Sequence, residues 1–412
     1  MDWRRLHVDT RPLRRRGFRN LWFGQMISTI GAEIAVVAVP YQVYHLTGST
    51  ALVGLLGLAS LVPLLVVPLV GGAIADALDR RTVVLATETG LAVVSLLFLA
   101  NALLSHPHVW ALFVLQSVAV GVYSFGRPAL ASLAPRLVPD GEIAAATSLS
   151  SVYSSLAAAA GPALGGVLIA AAGVPWAFGI DVATYAASFV AVWSLPRLPP
   201  LEDVDRPSFR SIVDGFRFLK GRQELVGIFL VDTNAMVFGM PSALFPAIAL
   251  HRLHGGAATV GYLYSAPYAG ALACSLLSGW CSHARRMGLG VTVMACLWGA
   301  AIAAFGLTTA LWPALVLLAV AGGADFYSAV LRSTMLLRST PDHLRGRLLG
   351  IEFMQVASAP SLGDLEAGVL ASLTSLRFSV VSGGFACIAG CVVTALALPR
   401  FLRYDAEVGA QT

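Results

Sequence analysis

Several acidic residues of this chain stand where only apolar text surrounds them. Glu33, Asp232, Asp325 and Glu352 fall inside long runs of Ala, Val, Leu and Gly. An ionisable side chain carried into hydrocarbon costs from about 2.5 kcal/mol upward, so an acid kept there points to ion or proton handling. Glu33 is the deepest acid of its segment, roughly 14 residues or about 21 Å along a helix. No Arg or Lys occurs between Arg19 and Arg80 to neutralise it. Asp325 is followed by Ser328 and Arg332 at helical spacing, which puts all three on one face. Glu33, Asp325 and Asp232 are therefore candidates for proton coupling. The competing reading of each acid is a carboxyl satisfied by nearby hydroxyls or by an arginine. That reading is the stronger one for Asp232, Asp325, Glu352 and Asp181, and the weaker one for Glu33. Asp364 and Glu366, near one end of their segment, can reach water.

The elements that must carry these acids are apolar helices. Of 412 residues, 57% are hydrophobic and 12% charged, against about 25% charged in an ordinary soluble domain. The mean hydropathy is +0.77. A soluble globule, a disordered chain and a secreted disulfide scaffold are excluded, and the chain reads as an integral membrane protein. The net charge of +5 does not indicate nucleic acid, because the basic residues lie between apolar segments, where membrane topology accounts for them.

A span needs roughly 20 apolar residues, and that ruler gives about twelve. The first six cover 20–45, 51–75, 82–104, 109–134, 146–172 and 175–196. The second six cover 225–250, 259–282, 288–308, 311–336, 347–373 and 378–399. This organises the chain as a tail (1–19), a six-helix half (20–196), a central loop (197–224), a second half (225–399) and a tail (400–412). The central loop starts Pro-rich, and SIVDGFRFLKG within it reads as a short amphipathic helix on the membrane surface. Arg80, Arg81, Arg136, Arg285, Arg286, Arg338, Arg345, Arg347, Arg400 and Arg403 share one side with the arginine-rich N-terminus; Arg252 and Arg377 lie opposite. The asymmetry places both termini and the central loop in the cytoplasm. The N-terminal stretch lacks a small-residue cleavage site and reads as a retained tail. Cys274, Cys281, Cys296, Cys387 and Cys391 read as small packing residues.

The halves also resemble each other. VGLLGLASLVPLLVVPLVGG from Val53 matches VGYLYSAPYAGALACSLLSG from Val260, GPALGG from Gly161 matches APSLGD from Ala359, and Pro139-Asp140 matches Pro341-Asp342. Two parallel six-helix repeats are a transporter design, with substrate bound near the midplane.

Further motifs sharpen the reading. GGAIADALDRR is similar to a G-x-x-x-D-x-x-G-R-R/K loop: Gly72, Asp76, Arg80 and Arg81 match, and Asp79 replaces a glycine. A carboxylate and a guanidinium there can form a charge-assisted latch; the bland alternative is a positive anchor with a helix cap. In the second copy, GWCSHARR, the acid has become His283. The fifth span carries Ala157, Gly161, Pro162, Gly165 and Gly166 at the spacing g-x-x-x-G-P-x-x-G-G. Pro162 bends the helix and the glycines permit close approach.

With these residues the chain resembles the major facilitator superfamily over nearly its whole length. FRNLWFGQMISTIGAEI, YHLTGST, RPALASLAPRLVP and TPDHLRGR are similar to the bacterial efflux subgroup related to the enterobactin exporter. The resemblance implies an all-α membrane fold of two pseudo-symmetric six-helix halves. Spans 1, 4, 7 and 10 would line a central cavity, and the first loop motif would brace one state of the transport cycle. Many proton antiporters carry an arginine in span 4 where this chain has Ser117; Arg127 lies further along. Candidate cavity residues are Gln25, Tyr41, Gln116, Tyr123, Arg127, Tyr268, Arg332 and Gln355, a mixture that suits an amphipathic substrate.

No nucleophile–base pair, metal cluster, P-loop or dinucleotide fingerprint has usable spacing, so neither an enzyme nor a cofactor is expected. The expectation is a proton-coupled exporter of a siderophore-like or drug-like molecule in a bacterial cell membrane, working as a monomer. The alternatives are a proton-coupled importer and, remotely, a membrane-embedded enzyme.

Overall fold

A computed structural model describes residues 9–197, 217–277, 279 and 284–405, with the side chains of 68–77 and 343 excepted. Among the described residues the architecture is helical throughout, without a β-strand beyond one isolated bridge, Arg286 with Asp405. The first six long helices are α1 (Arg16–Thr47), α2 (Thr50–Ala77), α3 (Arg80–Ala102), α4 (Val109–Arg136), α5 (Ile143–Ala172) and α6 (Val174–Trp193). The later ones are α7 (Gln223–Phe238), α8 (Phe245–His251), α9 (Ala257–Leu276), α10 (Met287–Phe305), α11 (Leu311–Arg338), α12 (Asp342–Leu373) and α13 (Leu376–Ala397). Pro399–Leu402 adds a final short turn, α14.

The predicted spans appear in order, with one difference of substance. The seventh is broken into α7 and α8 by a 3-10 turn at Ser242–Leu244. Gly239 and Pro241 stand at the break, and proline has no N–H with which to continue the helical ladder. Among the described residues ten segments, one of them the broken Gln223–His251, are long and apolar enough to cross a membrane. α9 and α12 fall outside that set because tyrosines and a proline interrupt the first, and the second is loaded by Asp342, Arg345, Arg347 and Glu352 in its first part and by Pro360, Asp364 and Glu366 in its second.

The chain folds into two compact units. One joins Met1–Gln42 to Val62–Arg206; the other joins Val43–Leu61 to Pro207–Thr412. The start of α2 thus packs within the second unit and not with its sequence neighbours. The cause is small residues meeting small residues: Thr50 Oγ1 donates to the Gly368 carbonyl at 3.0 Å, and Gly57 faces the backbone of Ser361 on α12.

Within each unit the sequence repeat is a packing repeat. Pro139 and Pro341 each stand at the helix entry of their span, and Pro162 and Pro360 each lie inside the long helix that follows. A Cβ added at Gly165 would meet the Ile34 carbonyl oxygen on α1 at 2.8 Å. At Gly363, the matching residue, it would run first into the Met236 carbonyl oxygen on α7 and then meet that of Val237 at 3.0 Å. A glycine at the matching place lets the equivalent pair of helices touch in both units.

Candidate functional site

In the second unit, α7, α11 and α12 bring four of the sequence candidates together. Nη1 of Arg332 lies 2.5 Å from Oδ1 of Asp232, and both side chains are buried, at 6% and 4% exposure. Nη2 of the same guanidinium lies 3.9 Å from Oδ1 of Asp325, on its own helix. Nη1 also donates to Ser328 Oγ at 3.3 Å, so the predicted face of Asp325, Ser328 and Arg332 is real. Gln355 Nε2 donates to Asp232 Oδ2 at 3.1 Å and to the Phe229 carbonyl at 2.9 Å. Glu352 accepts from Ser333 Oγ at 3.1 Å. One cation therefore sits between two acids, with an amide completing the shell of the more buried one. A fixed guanidinium with alternative carboxylates can exchange partners when either acid binds a proton.

Asp364 differs from the expectation that it reaches water. Its Oδ1 accepts from Ser242 Oγ at 2.5 Å and from the Ala243 N–H at 2.9 Å. It supplies the acceptor that the broken seventh span needs where the helix restarts.

The first unit holds the other candidates in a different manner. Glu33 lies on α1 against α5, where a Cβ on Gly161 would run into the Glu33 Cβ. Among the described residues no hydrogen bond or ion pair reaches its carboxyl. Gln25 is buried, and its Nε2 donates to Glu88 Oε1 at 2.8 Å and to Ser188 Oγ at 2.9 Å. Tyr123 and Arg127 are exposed neighbours on α4, the guanidinium bonded to the phenol oxygen and lying 5.6 Å from the ring centroid. Tyr41 and Gln116 are half-buried, and Tyr268, in the second unit, is exposed.

Of the loop motif, Gly72 and Asp76 lie outside the residues whose side chains are described. Asp79 caps α3, accepting from the Thr82 N–H at 3.0 Å. Arg81 Nη2 donates to the Trp193 carbonyl at 2.5 Å and Nε to the Val192 carbonyl at 3.3 Å, closing the end of α6. Arg80 is buried. Gly161, Pro162, Gly165 and Gly166 are buried along α5.

Sequence reasoning passes over Glu88. It stands in ATETG, flanked by threonines that suggest a solvated stretch, yet it is 5% exposed. The available signal is its position eight residues into a 23-residue apolar helix.

The sequence profile described as "Transmembrane secretion effector" matches residues 9–410. The enterobactin exporter EntS of Citrobacter koseri is 30% identical over 380 residues, 92% of this chain and 91% of that protein. EntS of Escherichia coli O157:H7 is 30% identical over 387 residues, 94% and 93% of the two chains. Among solved structures, a mutant of the peptide transporter POT superposes with a TM-score of 0.77 at 11% identity, covering 94% of this chain and 95% of that one. The nucleoside transporter NupG superposes at 0.71 and 13% identity, covering 94% and 99%.

Proposed function

The chain belongs to the transmembrane secretion effector family of major facilitator transporters, and from that membership we propose that it exports a siderophore-like or drug-like amphipathic molecule by proton antiport with alternating access. That it is a multi-pass membrane transporter of a small molecule, and not an enzyme, follows from its family and relatives. Export is supported by relatives that are enterobactin exporters over more than nine-tenths of both chains. The spacing Gly161-Pro162-x-x-Gly165-Gly166 in α5 resembles an exporter motif, and two of these glycines meet α1 closely, a contact that ordinary close packing would also use.

The observation that carries the coupling is Arg332, held at 2.5 Å by Asp232 and at 3.9 Å by Asp325. A proton arriving on Asp232 neutralises the nearer partner, and the guanidinium is then held by Asp325, so the protonated and deprotonated cluster favour different arrangements of α7 and α11. Coupling needs only that the two conformations differ in affinity for that proton. Glu33, with no fixed cation among the described residues, is the matching acid of the first unit. The exposed Tyr123, Arg127 and Tyr268 are candidate substrate contacts, with Tyr41 and Gln116 as further ones. The arginine asymmetry supports a bacterial inner membrane location with both termini cytoplasmic, and a single chain carries all the groups invoked.

The test is flux in inside-out vesicles, with enterobactin and a panel of amphipathic drugs as probes. An imposed interior-acid gradient should drive accumulation of at least one probe, and a protonophore should abolish it. Accumulation confined to right-side-out vesicles would establish import. Indifference of an accumulating probe to the gradient would remove protons from the reading.

A further inference from the structure

The first unit contains a second group of buried acids that the proposed cycle does not use. Glu88 on α3 and Asp181 on α6 are 5% and 3% exposed. The two antiparallel helices pack along their length, and their polar residues form a ladder. At one level Glu88 faces Gln25, which also holds Ser188. About two helical turns away, roughly 10 Å along the axes, Ser95 Oγ donates to Asp181 Oδ2 at 2.5 Å. Tyr185, 8% exposed, lies between Asp181 and Ser188 on the same face of α6.

No guanidinium bonds the acids of this seam among the described residues. The groups that bond its acids are neutral: the Gln25 amide and Ser28 hydroxyl of α1 and the Ser188 hydroxyl of α6 at Glu88, and the Ser95 hydroxyl of α3 at Asp181. The other titratable or charged groups facing it are Tyr185 on α6 and Tyr123 and Arg127 on α4, the last bonded to Tyr123. Arg81, nearer the end of α3, is bonded to the carbonyls of Val192 and Trp193. Among the described residues no ion pair reaches Glu88 or Asp181.

A second observation points to what the seam binds. Glu88 Oε2 and Asp181 Oδ1 are each fully buried with no hydrogen-bond partner. A buried carboxylate oxygen with nothing donating to it is costly, whereas a proton on the carboxyl removes the charge with no further ligand. A metal ion would need several donors, and no group of three or more His, Cys, Asp or Glu residues gathers among the described residues. We propose that the α1–α3–α6 seam is a proton-binding site, with Glu88 and Asp181 as the carriers and Gln25, Ser188 and Ser95 as the neutral groups that position them. It is separate from the acid–arginine cluster of the second unit. Its use in transport rests on the proton-antiport reading above; its existence does not.

The experiment is pH-difference infrared spectroscopy on the full-length protein in lipid nanodiscs, followed by flux. In the wild type a protonated-carboxyl band should change with pH. Glu88→Gln and Asp181→Asn should each remove part of it, and Ser188→Ala should shift the remaining Glu88 component. Difference spectra of both acid variants that superimpose on the wild type would overturn the site. Should Glu88→Gln fail to fold, Asp181→Asn together with Ser188→Ala carries the same decision. Flux then separates the two readings. If wild-type accumulation ignores a protonophore, antiport fails while the infrared result still decides the seam. If wild-type accumulation collapses but Glu88→Gln accumulates normally, the seam has no part in coupling.

Discussion

Asp232 meets a guanidinium at 2.5 Å, whereas Glu88 meets an amide and Glu33 meets nothing charged among the described residues. The two units share a packing plan and part company in their chemistry. α4 and α11 are both 28 residues long. Aligned from their first residues, Asp325 and Arg332 fall opposite Tyr123 and Leu130. The glycine contact is the same in both, Gly165 on Ile34 and Gly363 on Val237. The repeat therefore preserves how helices approach and leaves the polar cargo of each helix free to diverge. A cation-held acid and a cation-free acid also answer a proton differently. The first releases a partner when it is neutralised; the second only loses charge.

The largest effect should come from breaking the cation-held cluster. Arg332→Ala leaves Asp232 buried and unpaired, a change worth about 3–5 kcal/mol when one partner of a buried pair is removed. Thermal unfolding of the purified protein should show it, and Asp232→Asn/Arg332→Met should recover most of the loss. If the double variant is no more stable than the single, the pair is not what holds Asp232 in place.

Next is the shared contact. Gly165→Leu forces a branched side chain onto the backbone of Ile34, and Gly363→Leu does the same to Val237. Overpacking of this kind costs about 1–3 kcal/mol or more. Both variants should lose folded protein to a similar extent, read as the monodisperse fraction in detergent. A loss in one unit alone would break the packing equivalence.

Much of this is legible in the sequence, for identifiable reasons. Apolar runs of span length have one helical solution in a bilayer, so the order of spans is readable, as is the face shared by Asp325, Ser328 and Arg332. The Asp232–Arg332 pair is not, because a hundred residues separate its members and no spacing rule connects them. The sequence marks both residues, one as a coupling acid and the other as a substrate contact, without the bond between them. The break of the seventh span is signalled by Gly239 and Pro241 but lies hidden in otherwise apolar text. Gln25 reads as a cavity residue from sequence, whereas its amide is engaged by Glu88 and Ser188.

A smaller effect is expected at the end of α3. Asp79→Ala removes the oxygen that accepts from the Thr82 N–H and should cost about 1 kcal/mol, within the usual range for a helix N-cap. Asp79→Asn should retain most of the cap. Equal unfolding temperatures for wild type and Asp79→Ala would assign Asp79 to another role, such as the loop motif it interrupts.

The smallest change in stability should accompany the sharpest change in function. Glu33 makes no hydrogen bond or ion pair among the described residues, so Glu33→Gln has no partner to strand and should leave the unfolding temperature nearly unchanged. Its backbone neighbour across the helix interface is Gly161, and glutamine keeps the shape that this contact accommodates. What the substitution removes is the capacity to take up and release a proton. Under the antiport reading, gradient-driven accumulation should then be lost, while exchange of substrate across the membrane, which needs no net proton movement, should persist. The corresponding Asp232→Asn variant should instead lose both stability and accumulation, because its partner Arg332 is left buried with only Asp325 to hold it. A Glu33→Gln protein that still concentrates substrate in response to a pH gradient would make Glu33 a packing residue. Coupling would then belong to the arginine-held acids of the second unit.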